Sequence, residues 1–585
     1  VATRESFNTR LLYFSGLNNN LSQKRDSDQP SARYSWAMNS PDPHATHAVF
    51  NQPPPFEDVN LFTTDRVLAE ALRREGGGWA EERARAFGEI AGRRETIEWG
   101  FAANENPPAL RTHDRRGERV DEVEFHPAWH ALMALSVEHG LHALPWREPR
   151  PGAHVARAAL FLMLAEVEAG VGCPLSMTYS VVPALRQQPE LAAEWEPRFT
   201  ATAYDPRLVP ASEKAGALCG MAMTEKQGGS DVRANTTAAR PLGSGGPGAE
   251  YEITGHKWFC SAPMCDAFLV LAQAPGGLSC FLLPRFTPDG ARNRFLLQRL
   301  KDKLGNRSNA SSEVEFRAAR AWLVGEEGRG VPTILEMVNH TRLDCVIGSA
   351  AGMRWGTARA IHHATHRSTF GRRLIEQPLM RNVLADLAIE SEAATTAMMR
   401  LARAYDSGAD APFRRLATAV LKFWTCKRAP VHAAEALECL GGNGYVEEWG
   451  LARLYREAPL NSIWEGSGNV QCLDVLRAIQ KSPESLAALF SEIRAAQGGD
   501  ARLDTFALDL RADLGRAEEL ETRARRLVER LALALQGSLL VRHAPAEVAS
   551  AFCATRLTGD GGRAFGTLPA GTDFGAILER HAPEA

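Results

Sequence analysis

The sequence predicts a mainly α-helical chain with a small β domain in its middle, because the spacing of apolar residues changes twice. Apolar groups recur at helical spacing from Leu61 to about Pro210, shift to short strand-like runs after Ala217, and return to helical spacing beyond Gly330. At 585 residues the chain is too long for one core, and length alone suggests roughly three or four domains.

Each element follows from local signals. The first 37 residues are polar and irregular, with three consecutive Asn at 18 to 20, so disorder is the expectation there. The first methionine is Met38, and Val1 to Ala37 are expected to be an over-extended start or a tail outside the fold, within an N-terminal extension of residues 1–48. A helical domain over 49–217 comes next. Thr64 and Asp65 can cap a helix through Val67, Leu68 and Leu72, the glycines at 76 to 78 stop it, and residues 153–170 repeat the helical spacing. In the β domain, 218–329, Tyr251 and Ile253 and then Trp258, Phe259 and Cys260 flank an expected turn at Thr254-Gly255-His256. Apolar runs follow at Phe268 to Leu271 and Cys280 to Leu283, with Gly243 to Gly248 as an exposed loop. A second helical domain over 330–482 is broken at Ser407 to Pro412 and at the glycines of 441–444. A further helical domain, 483–585, carries loops at Gln497 to Asp500 and Gly559 to Gly562.

Composition excludes several classes. Lys and Arg number 67 against 70 Asp and Glu, so the whole-chain charge gives no argument for nucleic acid or a membrane surface. The apolar run Ala158 to Leu164 ends at Glu166 and Glu168, well short of the roughly 20 residues a membrane span needs. No apolar segment beside a small-residue cleavage site marks a secretory signal, and a cytoplasmic protein is expected. Ten cysteines are scattered without CxxC pairs, which predicts reduced thiols and no metal site. His126 and His130, like His362 and His366, stand four apart, but neither pair has a third convergent ligand, and both are expected to be ordinary helix residues.

Two segments carry the chemistry: MTEKQGGSDV, Met223 to Val232, and NSIWEGSGNV, Asn461 to Val470. With the helical, β, helical order they resemble the paired flavin-binding and catalytic-base segments of the acyl-CoA dehydrogenase family over roughly residues 50 to 480. GHKWFCSAP at Gly255, LKDKLGNRSNAS at Leu300 and the extra C-terminal helices resemble the AidB branch, associated with the adaptive response to DNA alkylation.

The resemblance implies FAD-dependent desaturation of an acyl-CoA. A base must take a proton from Cα while a hydride leaves Cβ, and Glu465 is the candidate, with Trp464 as an apolar wall that would raise its pKa. The enolate oxygen would be met by a flavin hydroxyl and the Glu465 amide. Thr224 and Ser230 match positions that hydrogen-bond the flavin, Gly228 and Gly229 let backbone approach it, and Phe259 and Ser261 match the strand along its ring. Met221, Trp464 and Gly466 join this cofactor set. Arg367 and Phe370 of RSTFG match the Arg that pairs with FAD phosphates and the Phe near the adenine, contributed by a neighbouring subunit, which implies a homotetramer. Gln377, Gly441, Gly442 and Gly444 match further cofactor-side positions, and Ser467 and Asn469 stand where the family has Thr and Gln.

In the last region Arg516, Arg523, Arg526 and Arg530 fall on one face of an expected helix, with Arg525 nearby, as a candidate contact for double-stranded DNA. Glu518, Glu519, Glu521 and Glu529 are interleaved with them, so a solvated, salt-bridged helix is the competing reading. Three functions are therefore expected to compete: an AidB-like flavoprotein that keeps dehydrogenase chemistry, an ordinary metabolic acyl-CoA dehydrogenase, and a flavin-containing lipid-binding protein without turnover.

Overall fold

Asp65 starts the first helix, Arg66–Leu72, by accepting a hydrogen bond from the Leu68 amide at 3.0 Å. The computed structural model describes residues 44–583 apart from Ala517, so the expectation for residues 1–37 lies outside the described residues. Residues 44–50 carry no helix or strand and are exposed, and the chain from Asn51 onward forms one compact unit.

Two helices of the first region, Ala153–Val167 and Gly172–Leu185, are buried almost all round, as an apolar-faced helix must be when neighbours cover every side. Arg157 lies among these apolar groups because Asp344, on the long helix Gly330–His366, takes both of its guanidinium arms at 2.6 and 2.8 Å. The helical expectation for 49–217 misses one feature, an antiparallel hairpin of Ala109–His113 and Arg119–Glu124. Its turn explains it: the Asp114 carboxylate accepts the amides of Arg116 and Glu118 at 2.8 and 2.9 Å, and Gly117 adopts φ 86°.

The β region is a seven-stranded sheet that closes on itself. Ala267–Ala274 pairs with Cys219–Ala222 and Ala238–Pro241 on one edge and with Gly277–Pro284 on the other. Gly277–Pro284 returns through Ser311–Val324 to Glu250–Ser261, and Phe295–Leu300 also pairs with Ser311–Val324. The turn expected at Thr254-Gly255-His256 is corrected: Glu250–Ser261 is one continuous strand with a register shift at Ile253/Thr254. Glycine is needed there because a Cβ on Gly255 would lie 2.5 Å from the Thr237 hydroxyl.

Beyond the sheet the helices Gly330–His366, Pro378–Arg403, Ala411–Glu438 and Gly468–Lys481 form the second helical region. The C-terminal helices share its core. Pro483–Arg494 and Ala524–His543 pack on it, and ion pairs fasten the end of the chain: half-buried Arg556 to buried Asp386 and Glu390, and half-buried Arg580 to buried Glu392 and to Glu70, whose side chain is 43% exposed.

The expected single arginine face is corrected here. The helix begins at Ala524, after a turn that includes Gly515 and a left-handed Glu519 at φ 51°. Arg516 lies outside the helix, and Arg523 folds back onto the carbonyls of Asp513, Arg516 and Glu518. Arg530 pairs with Asp513 over the Phe506 ring, while Arg526 stays exposed.

All ten cysteines are buried and unpaired. Among the described residues there is no cluster that could hold a metal, and no helix is long and apolar enough to cross a membrane. His130 instead bonds the Tyr204 hydroxyl at 2.8 Å, and His362 the Pro54 carbonyl at 2.8 Å.

Candidate functional site

A cavity of about 720 Å³ gathers both motif segments. Met221, Phe259 and Ser261 line it from the sheet, Thr224, Gly229 and Ser230 from the loop after Cys219–Ala222, and Trp464, Glu465, Gly466 and Ser467 from the loop before Gly468–Lys481. The opposite wall steps along the long helix through Val338, Thr341, Cys345, Gly348 and Gly352 to Trp355, a stretch of roughly 25 Å at the rise of an α-helix.

Glu465 sits in left-handed backbone, φ 57°, which is uncommon for a side chain larger than Asn and requires the surroundings to hold it. They do. Its carbonyl accepts Arg342 Nε at 3.0 Å and Gln471 Nε2 at 3.1 Å. The flanking Trp464 carbonyl accepts Lys422 Nζ at 2.8 Å, and Gly466 accepts both Lys422 and Gln471. The Glu465 amide has no acceptor among the described residues. Its carboxylate accepts the Thr341 hydroxyl at 2.7 Å. Burial raises the Glu465 carboxyl above the ordinary carboxylate range, and the Thr341 bond and the charges of Arg342 and Lys422 partly oppose this. Because the Thr341 bond favours the ionised form, Thr341→Val should move the acid limb of any Glu465-dependent rate to higher pH. A pH profile unchanged in that variant would remove Thr341 from the site.

The first segment is fixed from beneath. Lys257 and Glu225 are fully buried and meet at 2.8 Å. The Glu225 carboxylate also collects the amides of Thr236 and Thr237 at 2.7 and 3.1 Å and the Thr236 hydroxyl at 3.0 Å. Burial alone would raise the Glu225 carboxyl, but the Lys257 bond and these donors hold it well below the carboxylate range. Above this anchor the backbone lies open: Gly228 has φ 146° with nothing near its Cβ direction, and a Cβ on Gly229 would strike the Thr224 hydroxyl at 2.4 Å. A planar cofactor laid on Thr224, Ser230, Phe259 and Ser261 fits this bare surface, so the residues present suit FAD.

The remaining expected residues lie away from the cavity of the single chain. Arg367 donates to the Asn51 carbonyl at 2.6 Å, Gln377 to the Thr369 carbonyl at 3.2 Å, and Phe370, at φ 50°, is 100% exposed on the hairpin between them. Gly441 and Gly442 face open space, whereas Gly444 packs so tightly that a Cβ would lie 2.0 Å from the Leu437 carbonyl. Asn469 is exposed and accepts Arg525 at 3.2 Å. Sequence reasoning missed Thr341, Arg342, Lys422 and Gln471. Nothing local marks them, since each sits in a helix where a polar residue reads as a solvated face.

Three family models match in order: the adaptive response protein AidB N-terminal domain over 51–206, the acyl-CoA dehydrogenase middle domain over 220–319 and its C-terminal domain over 328–480. The AidB protein of Escherichia coli is 48% identical over 526 residues, 88% of this chain and 95% of that one. Acyl-CoA dehydrogenase family member 11 of Caenorhabditis elegans is 32% identical over 68% of this chain and 67% of its own length. The crystal structure of Caenorhabditis elegans ACDH-11 in complex with C11-CoA has a TM-score of 0.80 at 27% identity, covering 88% of this chain and 93% of that one. FAD is the cofactor, and the chain is an oxidoreductase of the kind these relatives represent. The chain belongs to the acyl-CoA dehydrogenase family, in its AidB branch.

Proposed function

We propose that the chain desaturates an acyl-CoA thioester, with Glu465 taking the α-proton. The observation that carries this reading is the Glu465 carboxylate beside Thr341 in the same cavity as the flavin-side residues, next to a backbone amide that has no acceptor among the described residues. As the proton leaves Cα, negative charge grows on the thioester oxygen, and the free Glu465 amide is a donor for it. Thr224, Ser230, Phe259 and Ser261 would hold FAD, which would supply the acceptor for the hydride lost from Cβ as the Cα–Cβ double bond forms. A relative that binds C11-CoA supports an acyl-CoA substrate here. The test is purified protein: it should carry FAD without added cofactor and be reduced anaerobically by some member of an acyl-CoA panel. Colourless protein indifferent to FAD would reject the reading.

The proposed assembly is a cytoplasmic homotetramer in which Arg367, Phe370 and Gln377 reach the FAD of a neighbouring copy. Full exposure of Phe370 in the single chain supports it. Arg367→Ala should weaken FAD retention by about 1.5 to 3 kcal/mol, the worth of a hydrogen bond to a charged group. Retention equal to wild type in equilibrium dialysis would exclude that contact.

A role in the adaptive response, with direct binding of double-stranded DNA, is the second reading, supported by the AidB-type N-terminal domain and by exposed Arg516 and Arg526. Arg523 and Arg530 are engaged within the chain, whereas Arg516 meets Asp513 only at 3.6 Å with its side chain 71% exposed, so Arg516→Ala with Arg526→Ala is the sounder test. Duplex binding should weaken, and its log-log salt slope fall by about 0.9 for each phosphate contact removed. Equal affinity in the double variant would reject this face, and no binding by wild type at low salt would leave acyl-CoA chemistry alone.

A further inference from the structure

We propose that Lys422, Arg342 and Gln471 are positioning residues that turn the 464–466 peptides so that the Glu465 amide, and not its carbonyl, faces the reacting thioester. The inference rests on the dehydrogenase reading above.

Three consecutive carbonyls are each claimed by side chains from outside their loop. Lys422 Nζ, buried on the helix Ala411–Glu438, takes Trp464 and Gly466. Arg342 Nε, on the long helix, takes Glu465, and Gln471 Nε2 takes Glu465 and Gly466. Arg342 is itself fixed, since Asp474 accepts it at 3.1 Å and holds Arg415 at 2.8 Å on the other carboxylate oxygen. A loop with left-handed Glu465 and φ 98° at Gly466 would relax if its carbonyls were free to swing. With the carbonyls fastened on one side, successive amides are presented on the other as a concave patch of partial positive charge, a known anion-stabilising arrangement of backbone. Placing a fixed cation behind a carbonyl also polarises the peptide, which strengthens the amide next to it as a donor.

The reaction supplies the reason such fastening matters. The thioester oxygen gains charge only as the α-proton leaves, so a donor held in place beforehand favours the transition state over bound substrate. Loosening the loop should therefore reduce kcat and spare KM.

The experiment uses flavin-loaded Lys422→Met, Lys422→Arg and Gln471→Ala proteins. Amide hydrogen exchange across 461–470 should quicken in Lys422→Met and Gln471→Ala. Anaerobic flavin reduction by the best acyl-CoA of the panel should slow about tenfold or more with KM within about twofold, and Lys422→Arg should restore part of the rate. If Lys422→Met fails to fold, the Gln471→Ala comparison decides, because that change removes two bonds and no charge. Exchange and kcat unchanged in Gln471→Ala, or KM rising in step with any loss, would overturn the proposal. If no acyl-CoA reduces the wild type, the dehydrogenase reading falls, and exchange at 461–470 still reports whether the loop is fastened as described.

Discussion

Glu465→Gln is expected to keep fold and flavin yet slow anaerobic flavin reduction by two to four powers of ten, roughly 3 to 5 kcal/mol of barrier. The amide nearly matches the carboxylate in shape, and its oxygen can still accept the Thr341 hydroxyl, so packing around the loop is preserved. The fastening of the 464–466 carbonyls does not involve the Glu465 side chain and should persist, leaving the backbone donor in place. What disappears is the proton acceptor. Its burial, which raises the carboxyl above the ordinary range, makes it a stronger base once ionised, so the wild-type rate should rise with pH through a pKa higher than that of an exposed glutamate. Stopped-flow reduction across pH reads both effects together. Reduction by Glu465→Gln at the wild-type rate would move the base to another residue.

The alternation of helical and strand spacing made the order of regions legible, because each change in period marks a change in how apolar groups reach a core. What the spacing could not convey is which polar residues are buried. Lys257 and Lys422 look like solvent-facing charges in their segments, yet one is sealed beneath the first motif and the other behind the second. Their partners stand far away in the chain, at Glu225 and at Trp464 and Gly466, and only the fold brings them together. The arginines near 523 failed in the opposite way. Their helical spacing suggested one exposed face, but the turn after Gly515 and the bonds of Arg523 and Arg530 inside the chain consumed half of it. Glu465 was legible because a glutamate between Trp and Gly in NSIWEGSGNV matched a family segment. Its left-handed backbone, which the fastening explains, has no signature in composition.

The second large effect is on stability. Lys257→Met should lower it by about 3 to 5 kcal/mol, because removing one member of a buried ion pair strands the other. Methionine fills much of the lysine volume, so little of the loss is cavity. The loss arises at Glu225, whose carboxylate has no exposure and would retain only the Thr236 and Thr237 groups and Gln227 as donors. The Leu271 and Met223 carbonyls, now bonded to Lys257 at 2.8 and 3.3 Å, would lose that donor as well. Since these contacts tie the 223–237 loop to the strand Ala267–Ala274, flavin should be released before the helical regions melt. Adding Glu225→Gln to Lys257→Met separates charge from packing: the double variant removes the stranded charge, and its one amide oxygen can still accept the Thr236 amide and hydroxyl, leaving only the Thr237 amide unmatched. It should therefore be more stable than Lys257→Met alone, even though it carries one more substitution. Denaturant midpoints with excess FAD, followed by both flavin fluorescence and circular dichroism, measure this. A Lys257→Met midpoint equal to wild type, or a double variant less stable than the single one, would show that the pair is not what holds the loop against the sheet.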